Sequence, residues 1–268
     1  MIRRGVLSII LALLVGCGAC SSLKTGKTSR GDHVVTQKEA IKASVLVEYG
    51  KGSGSGFVID TFLSDKGDER CYKILTAAHV LKAEYYDPRF PKPFVTFTLD
   101  GDTQMFQADI SVRDPGVDVA LLTVWTYETT QLCLPFKITK DDSYLEYDKD
   151  VYLISFPQGL GPMLTKGIIS GISILEWSDT DYTTTAQSAP GSSGGALIDP
   201  DTGEVVGLLK AVMSQPFSPH LFGWASIIAP AEDIRPIAYW KPGSPVIVPQ
   251  GSRGDTPKQV LIFYPKNN

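Results

Sequence analysis

Residues 188–199, SAPGSSGGALID, set two adjacent serines, Ser192 and Ser193, among small residues. A serine works as a nucleophile when its Oγ stands on a sharp turn and backbone N–H groups converge on the developing oxyanion. Flanking glycines permit the unusual backbone angles and keep side chains off the incoming carbonyl. The same run also reads as a plain glycine-serine turn, and by itself it does not choose between the two serines. Such a nucleophile needs a base, and the base needs an acid to orient it. His79, one of three histidines, lies near the end of KILTAAHV, where a strand gives way to a turn. It reads either as a structural histidine or as that base. Asp118 opens DVALLTVW, and a carboxylate entering a buried strand is desolvated, as an orienting acid should be. Asp114 competes with it, but its Asp-Pro-Gly setting reads as a turn. His33 lies in a polar segment and His220 in a proline-flanked loop, and both read as solvated.

The elements that would carry these residues are short strand-like runs broken by turn residues. ASVLVEYG, GFVIDTFL, CYKILTAA, FVTFTL, FQADISV and VALLTVW form one set of six. DVYLISFP, GIISGISIL, YTTTAQS, GALIDP, EVVGLLKAV and FGWASIIAP form a second. The charged, turn-prone run KDDSYLEYDKD separates the sets. The pattern predicts an all-β protein of two six-stranded antiparallel β-barrels, about 38–126 and 148–236, packed face to face. GSGSG at 52–56 sits between two strand-like runs and reads as a hairpin or a close backbone approach. The one helical stretch expected is a short one around PAEDIRPIAYW, and QVLIFY in the tail, 237–268, could add an edge strand.

The chain has 268 residues, 43% hydrophobic and 20% charged, with a formal net charge of −4. No basic block follows the N-terminus, so nucleic acid is excluded as an expected partner. The start, MIRRGVLSIILALLVGC, has two arginines and then an apolar stretch too short to span a bilayer comfortably, as in a signal peptide. LVGC at 14–17 resembles a bacterial lipobox, which implies cleavage after residue 16 and acylation of Cys17. Residues 17–37 then read as a flexible tether to a membrane. Cys71 and Cys133 remain in the folded part, where export makes a disulfide chemically possible without showing that the two meet.

TAAHV, DVALL and GSSGG, in that order, resemble the signature segments of trypsin-like (chymotrypsin-fold) serine proteases, most closely the HtrA-like bacterial group. GSGSGFVI, SFPQGLGPMLTKGIISGI, TTTAQSAPGSSGG, GEVVGLLKA and FGWASIIAP extend the likeness over about 40–236. The resemblance implies His79 as general base, Asp118 as orienting acid and Ser193 as nucleophile, with Gly191 and Ser193 N–H groups as the oxyanion hole. It implies Gln187, Leu209 and Lys210 as residues of the substrate pocket. Gln187 stands where an acid would confer cleavage after Arg or Lys, and Leu209 where a histidine would favour Glu. A small or apolar residue before the scissile bond is therefore expected, while Lys210 keeps an acidic preference open. No metal or organic cofactor is implied, and the partners are protein or peptide substrates. The tail is too short for the PDZ domain that HtrA proteins usually carry. The rival from another class is a non-catalytic binding or scaffold lipoprotein on the same fold.

Overall fold

The computed structural model describes residues 36–172, 181–213 and 225–241. The first sheet is built from β1 (Ser44–Tyr49), β2 (Gly52–Leu63), β3 (Arg70–Ala77), β4 (Phe94–Leu99), β5 (Asp102–Gln107), β6 (Asp109–Asp114) and β7 (Val119–Thr126). Its order is β5-β4-β1-β2-β3-β7-β6. FQADISV, expected as one strand, is divided at Ala108 between β5, which pairs with β4, and β6, which pairs with β7. Ala108 is buried and donates its N–H to Pro93 O at 2.8 Å instead of joining either ladder. The two ends of the sheet are thus one residue apart in sequence, which curls the sheet into a half-barrel. A bend of this kind leaves no mark in the alternation of apolar residues, because both halves keep their own period.

The second sheet is a closed six-stranded barrel. It comprises β8 (Asp150–Ser155), β9 (Met163–Ile172), β10 (Tyr182–Thr184), β11 (Ala196–Ile198), β12 (Val205–Met213) and β13 (Ala225–Pro230), in the order β10-β13-β12-β11-β8-β9. Every pairing in both sheets is antiparallel. Val151, Leu153, Ile169, Leu197, Val206, Leu209 and Ile228 fill the second barrel. A larger core fills the first sheet and continues through Ile154, Ala196, Leu208 and Ala229 into the second. The link between the sheets is stitched to both: Phe136 N donates to Val58 O at 2.8 Å, and Thr139 N to Val205 O at 2.9 Å.

Among the described residues, two α-helices flank the sheets. The expected one is α2 (Ala231–Ala238), whose Ile234 and Ile237 are fully buried. The other, α1 (Gln37–Ala43), falls where the sequence reads as tether running into the first strand. Thr36 accepts from Glu39 N, and the Glu39 carboxylate accepts from Thr36 N, forming a capping box. The Thr-x-x-Glu spacing at 36–39 carries this signal in the sequence. QVLIFY lies outside the described residues.

Cys71, on β3, and Cys133, in the link, are both buried and both free. Burial pushes each thiol up to about 12. At pH 8 neither forms appreciable thiolate, so iodoacetamide should leave both unmodified in the folded protein and alkylate both after unfolding. Peptide mass mapping of the two samples reads this directly.

Candidate active site

The strand register brings His79 to Asp118. β3 pairs with β7 so that Ala77 faces Val119, which sets the next residue on β3's side, Ala78, beside Asp118. Ala78 N donates to Asp118 O at 3.1 Å, and the chain then turns through a short 3₁₀ segment, Ala78–Leu81. One carboxylate oxygen of Asp118 accepts from His79 N at 2.8 Å, and the other lies 2.7 Å from His79 Nδ1. Nδ1 facing a carboxylate carries the proton, which leaves Nε2 as the acceptor. Asp118 itself has φ +58°, a backbone region costly for a residue with a side chain. Its two carboxylate bonds hold it there. Asp114 is engaged differently: its carboxylate caps a turn, accepting from Gly116 N at 2.7 Å and Val117 N at 3.3 Å.

The two serines separate cleanly. Ser192 is fully buried, and its Oγ accepts from Ala189 N and from Ser155 Oγ, both at 3.1 Å. Ser193 is half-buried, and among the described residues its Oγ has no hydrogen-bond partner, His79 included. Ser193 O accepts from Ser55 N at 2.7 Å, which ties this loop to β2 of the other sheet. Gly54 lies between: a Cβ there would press on both Val80, the residue after His79, and Ser193 O. The GSGSG run is thus a close approach within β2. Gly194, at φ +88°, faces the same constraint, since a Cβ on it would overlap Ser55 O. Among the described residues, neither Gly191 N nor Ser193 N is given to a hydrogen bond within the fold.

The expected pocket residues are dispersed. Leu209 is fully buried inside the second barrel, so its side chain faces the core and not a substrate surface. It serves the loop through its backbone instead: Gly194 N donates to Leu209 O at 2.7 Å and Leu209 N to Gly195 O at 2.9 Å. Gln187 is exposed, with its carbonyl accepting from Thr165 Oγ1 at 2.8 Å. Lys210 is buried and donates to both carboxylate oxygens of Asp181 at 2.8 Å. This pair lines a cavity of about 550 Å³ together with His79, Asp118, Arg113 and Ile227. Lys210 is thus neutralised beside the His79–Asp118 pair and offers no isolated positive charge. The sequence reading missed Asp181. A lysine inside the apolar run EVVGLLKAV signals that a buried acid must exist, but not which one.

Lys210→Met alone breaks a buried ion pair, removing the ammonium that donates to both Asp181 oxygens, and should cost about 3–5 kcal/mol of stability. Lys210→Met combined with Asp181→Leu should recover most of it, and urea denaturation of the two variants makes the comparison.

The comparisons with known proteins agree with this architecture. The family described as trypsin-like peptidase domain matches residues 54–208. Protease Do-like 8, chloroplastic, of Arabidopsis thaliana is 31% identical over 175 residues, covering 62% of this chain and 36% of its own. Protease Do-like 1, chloroplastic, of the same plant is 30% identical over 193 residues, covering 68% of this chain and 38% of its own. The chain therefore spans little more than a third of either relative. The crystal structure of Deg5 superposes with a TM-score of 0.56 at 22% identity, over 73% of this chain and 87% of that one. The serine endoprotease from Yersinia pestis gives 0.54 at 22% identity, over 75% and 64%. At that identity the likeness is one of fold.

Proposed function

Because the chain belongs to the trypsin-like peptidase family, we propose that it is a serine endopeptidase acting through Ser193, His79 and Asp118 on protein substrates. The observation that carries this reading is the Asp118 carboxylate, which holds both the backbone and Nδ1 of His79 at hydrogen-bond distance. With Nδ1 protonated, Nε2 takes the proton of Ser193 Oγ as Oγ bonds to the scissile carbonyl carbon. The oxyanion is received by the N–H groups of Gly191 and Ser193. His79 passes its proton to the leaving amine, the C–N bond breaks, and an acyl-enzyme remains. Water then attacks that ester, giving a proton to His79 and, as the intermediate collapses, returning Ser193 to its hydroxyl form. The half-buried Ser193 and the fully buried, doubly bonded Ser192 favour this order of roles over the reverse.

A fluorophosphonate probe should label the wild type and Ser192→Ala but not Ser193→Ala. Loss of labelling on Ser192→Ala with labelling kept on Ser193→Ala reverses the assignment. Lack of labelling in every form favours a binding protein on this fold. On a cleaved substrate, Ser193→Ala should lower kcat by roughly 10⁶.

The proposal extends to location. LVGC at 14–17 and the apolar run before it support an exported protein of the bacterial cell envelope, held to a membrane by lipid on Cys17. Cys17→Ser should then move the protein from the membrane pellet to the soluble fraction after cell lysis. Equal membrane recovery of both forms would sink the lipid anchor.

A further inference from the structure

The two N–H groups assigned to the oxyanion belong to peptides whose orientation is set by their carbonyls. A trans peptide is planar and places its C=O and N–H on opposite sides, so tying the oxygen fixes the direction of the hydrogen. Pro190 O, in the peptide that carries Gly191 N, accepts from Gln158 N at 2.7 Å. Ser192 O, in the peptide that carries Ser193 N, accepts from Gly195 N at 3.0 Å. The peptide between them is tied at both ends: Ser192 N donates to Ala189 O at 2.9 Å within the loop, and Gly191 O accepts from Ser55 Oγ, a side chain of the other sheet, at 2.8 Å.

Ser55 has no freedom to do otherwise. It is fully buried, and its Oγ also accepts from Phe156 N at 2.8 Å, which leaves the hydroxyl proton for Gly191 O. Its own N–H donates to Ser193 O at 2.7 Å, and its carbonyl accepts from Thr76 Oγ1 at 2.7 Å. Gly191 has φ +91°, and a Cβ on it would crowd Gln158 N and Phe156 O, both at 2.8 Å. The site therefore needs glycine, the residue whose backbone turns most easily when an anchor is removed. Resting on the serine mechanism proposed above, we infer that Ser55 is a positioning residue: its hydroxyl locks the 191–192 peptide and thereby aims the N–H groups of Gly191 and Ser193 at the oxyanion. The completed nucleophile loop thus depends on a side chain 136 residues away, on the barrel that carries the base.

The rate of fluorophosphonate labelling tests this, since its transition state places an oxygen at the same donors. Ser55→Ala should label about 10-fold more slowly, the effect of one hydrogen bond lost from the loop. The pH profile of labelling, which reports His79, should keep its midpoint. Ser55→Thr, which retains the hydroxyl, should recover to within about 3-fold of the wild type. Ser44→Ala is the control: it removes another buried hydroxyl, one that donates to Ala40 O in α1 and makes no hydrogen bond to the loop, and should leave the rate unchanged. If Ser55→Ala does not fold, Ser55→Cys keeps the volume with a weak donor and should show the same slowing. Wild-type rates in a folded Ser55→Ala or Ser55→Cys overturn the inference while leaving the serine mechanism standing. Equal slowing by Ser44→Ala, or a displaced pH midpoint, assigns the loss to general loosening and overturns it too. Absence of Ser193-dependent labelling in the wild type removes the mechanism itself, and this inference with it.

Discussion

The structure turns on a seam of hydrogen bonds between strand β2 and the loop at 189–195. Ser55 N reaches Ser193 O, Ser55 Oγ reaches Gly191 O, and Ser55 O lies so close to Gly194 that no side chain fits there. His79 and Asp118 belong to the first sheet, and Ser193 to the second barrel. A site divided in this way exists only if the two halves meet in one register. Burial alone would not enforce that register, because hydrophobic contact is nondirectional. The directional bonds of the seam supply it, anchored on the fully buried Ser55.

Within the first sheet the constraint is of a different kind. The antiparallel register of β3 and β7 puts Asp118 next to Ala78, and the short 3₁₀ turn then swings the imidazole of His79 over the carboxylate. Asp118 tolerates a positive φ because both of its oxygens are engaged, one by the backbone and one by the ring of His79. The orientation of the imidazole against the carboxylate is thus fixed by the fold itself.

The second barrel shows how a position can serve a site without offering its side chain. Leu209 fills the core while its N–H and C=O hold Gly194 and Gly195. Lys210, its neighbour, sits at a register shift in the β12–β13 pairing and meets Asp181 in a buried pair on the wall of the cavity that His79 and Asp118 also line. The pair brings no net charge to that wall. Lys210 thus lines the cavity as one half of an ion pair and not as a lone cation.

The sequence by itself determined the all-β architecture, the strand runs, helix α2 and the order of the histidine, aspartate and serine segments. These follow from local chemistry: apolar alternation, turn residues, and glycines where the backbone must come close. It also carried the capping box of α1, in a spacing short enough to read. Only the tertiary structure decided the break at Ala108, the full burial of Ser192 against the half-burial of Ser193, and the acid that pairs with Lys210. It alone revealed the hydroxyl that reaches the loop from 136 residues away. Such contacts join residues with no fixed separation along the chain. Residue types can say that a buried lysine or a taut glycine loop needs a partner, but packing chooses which one.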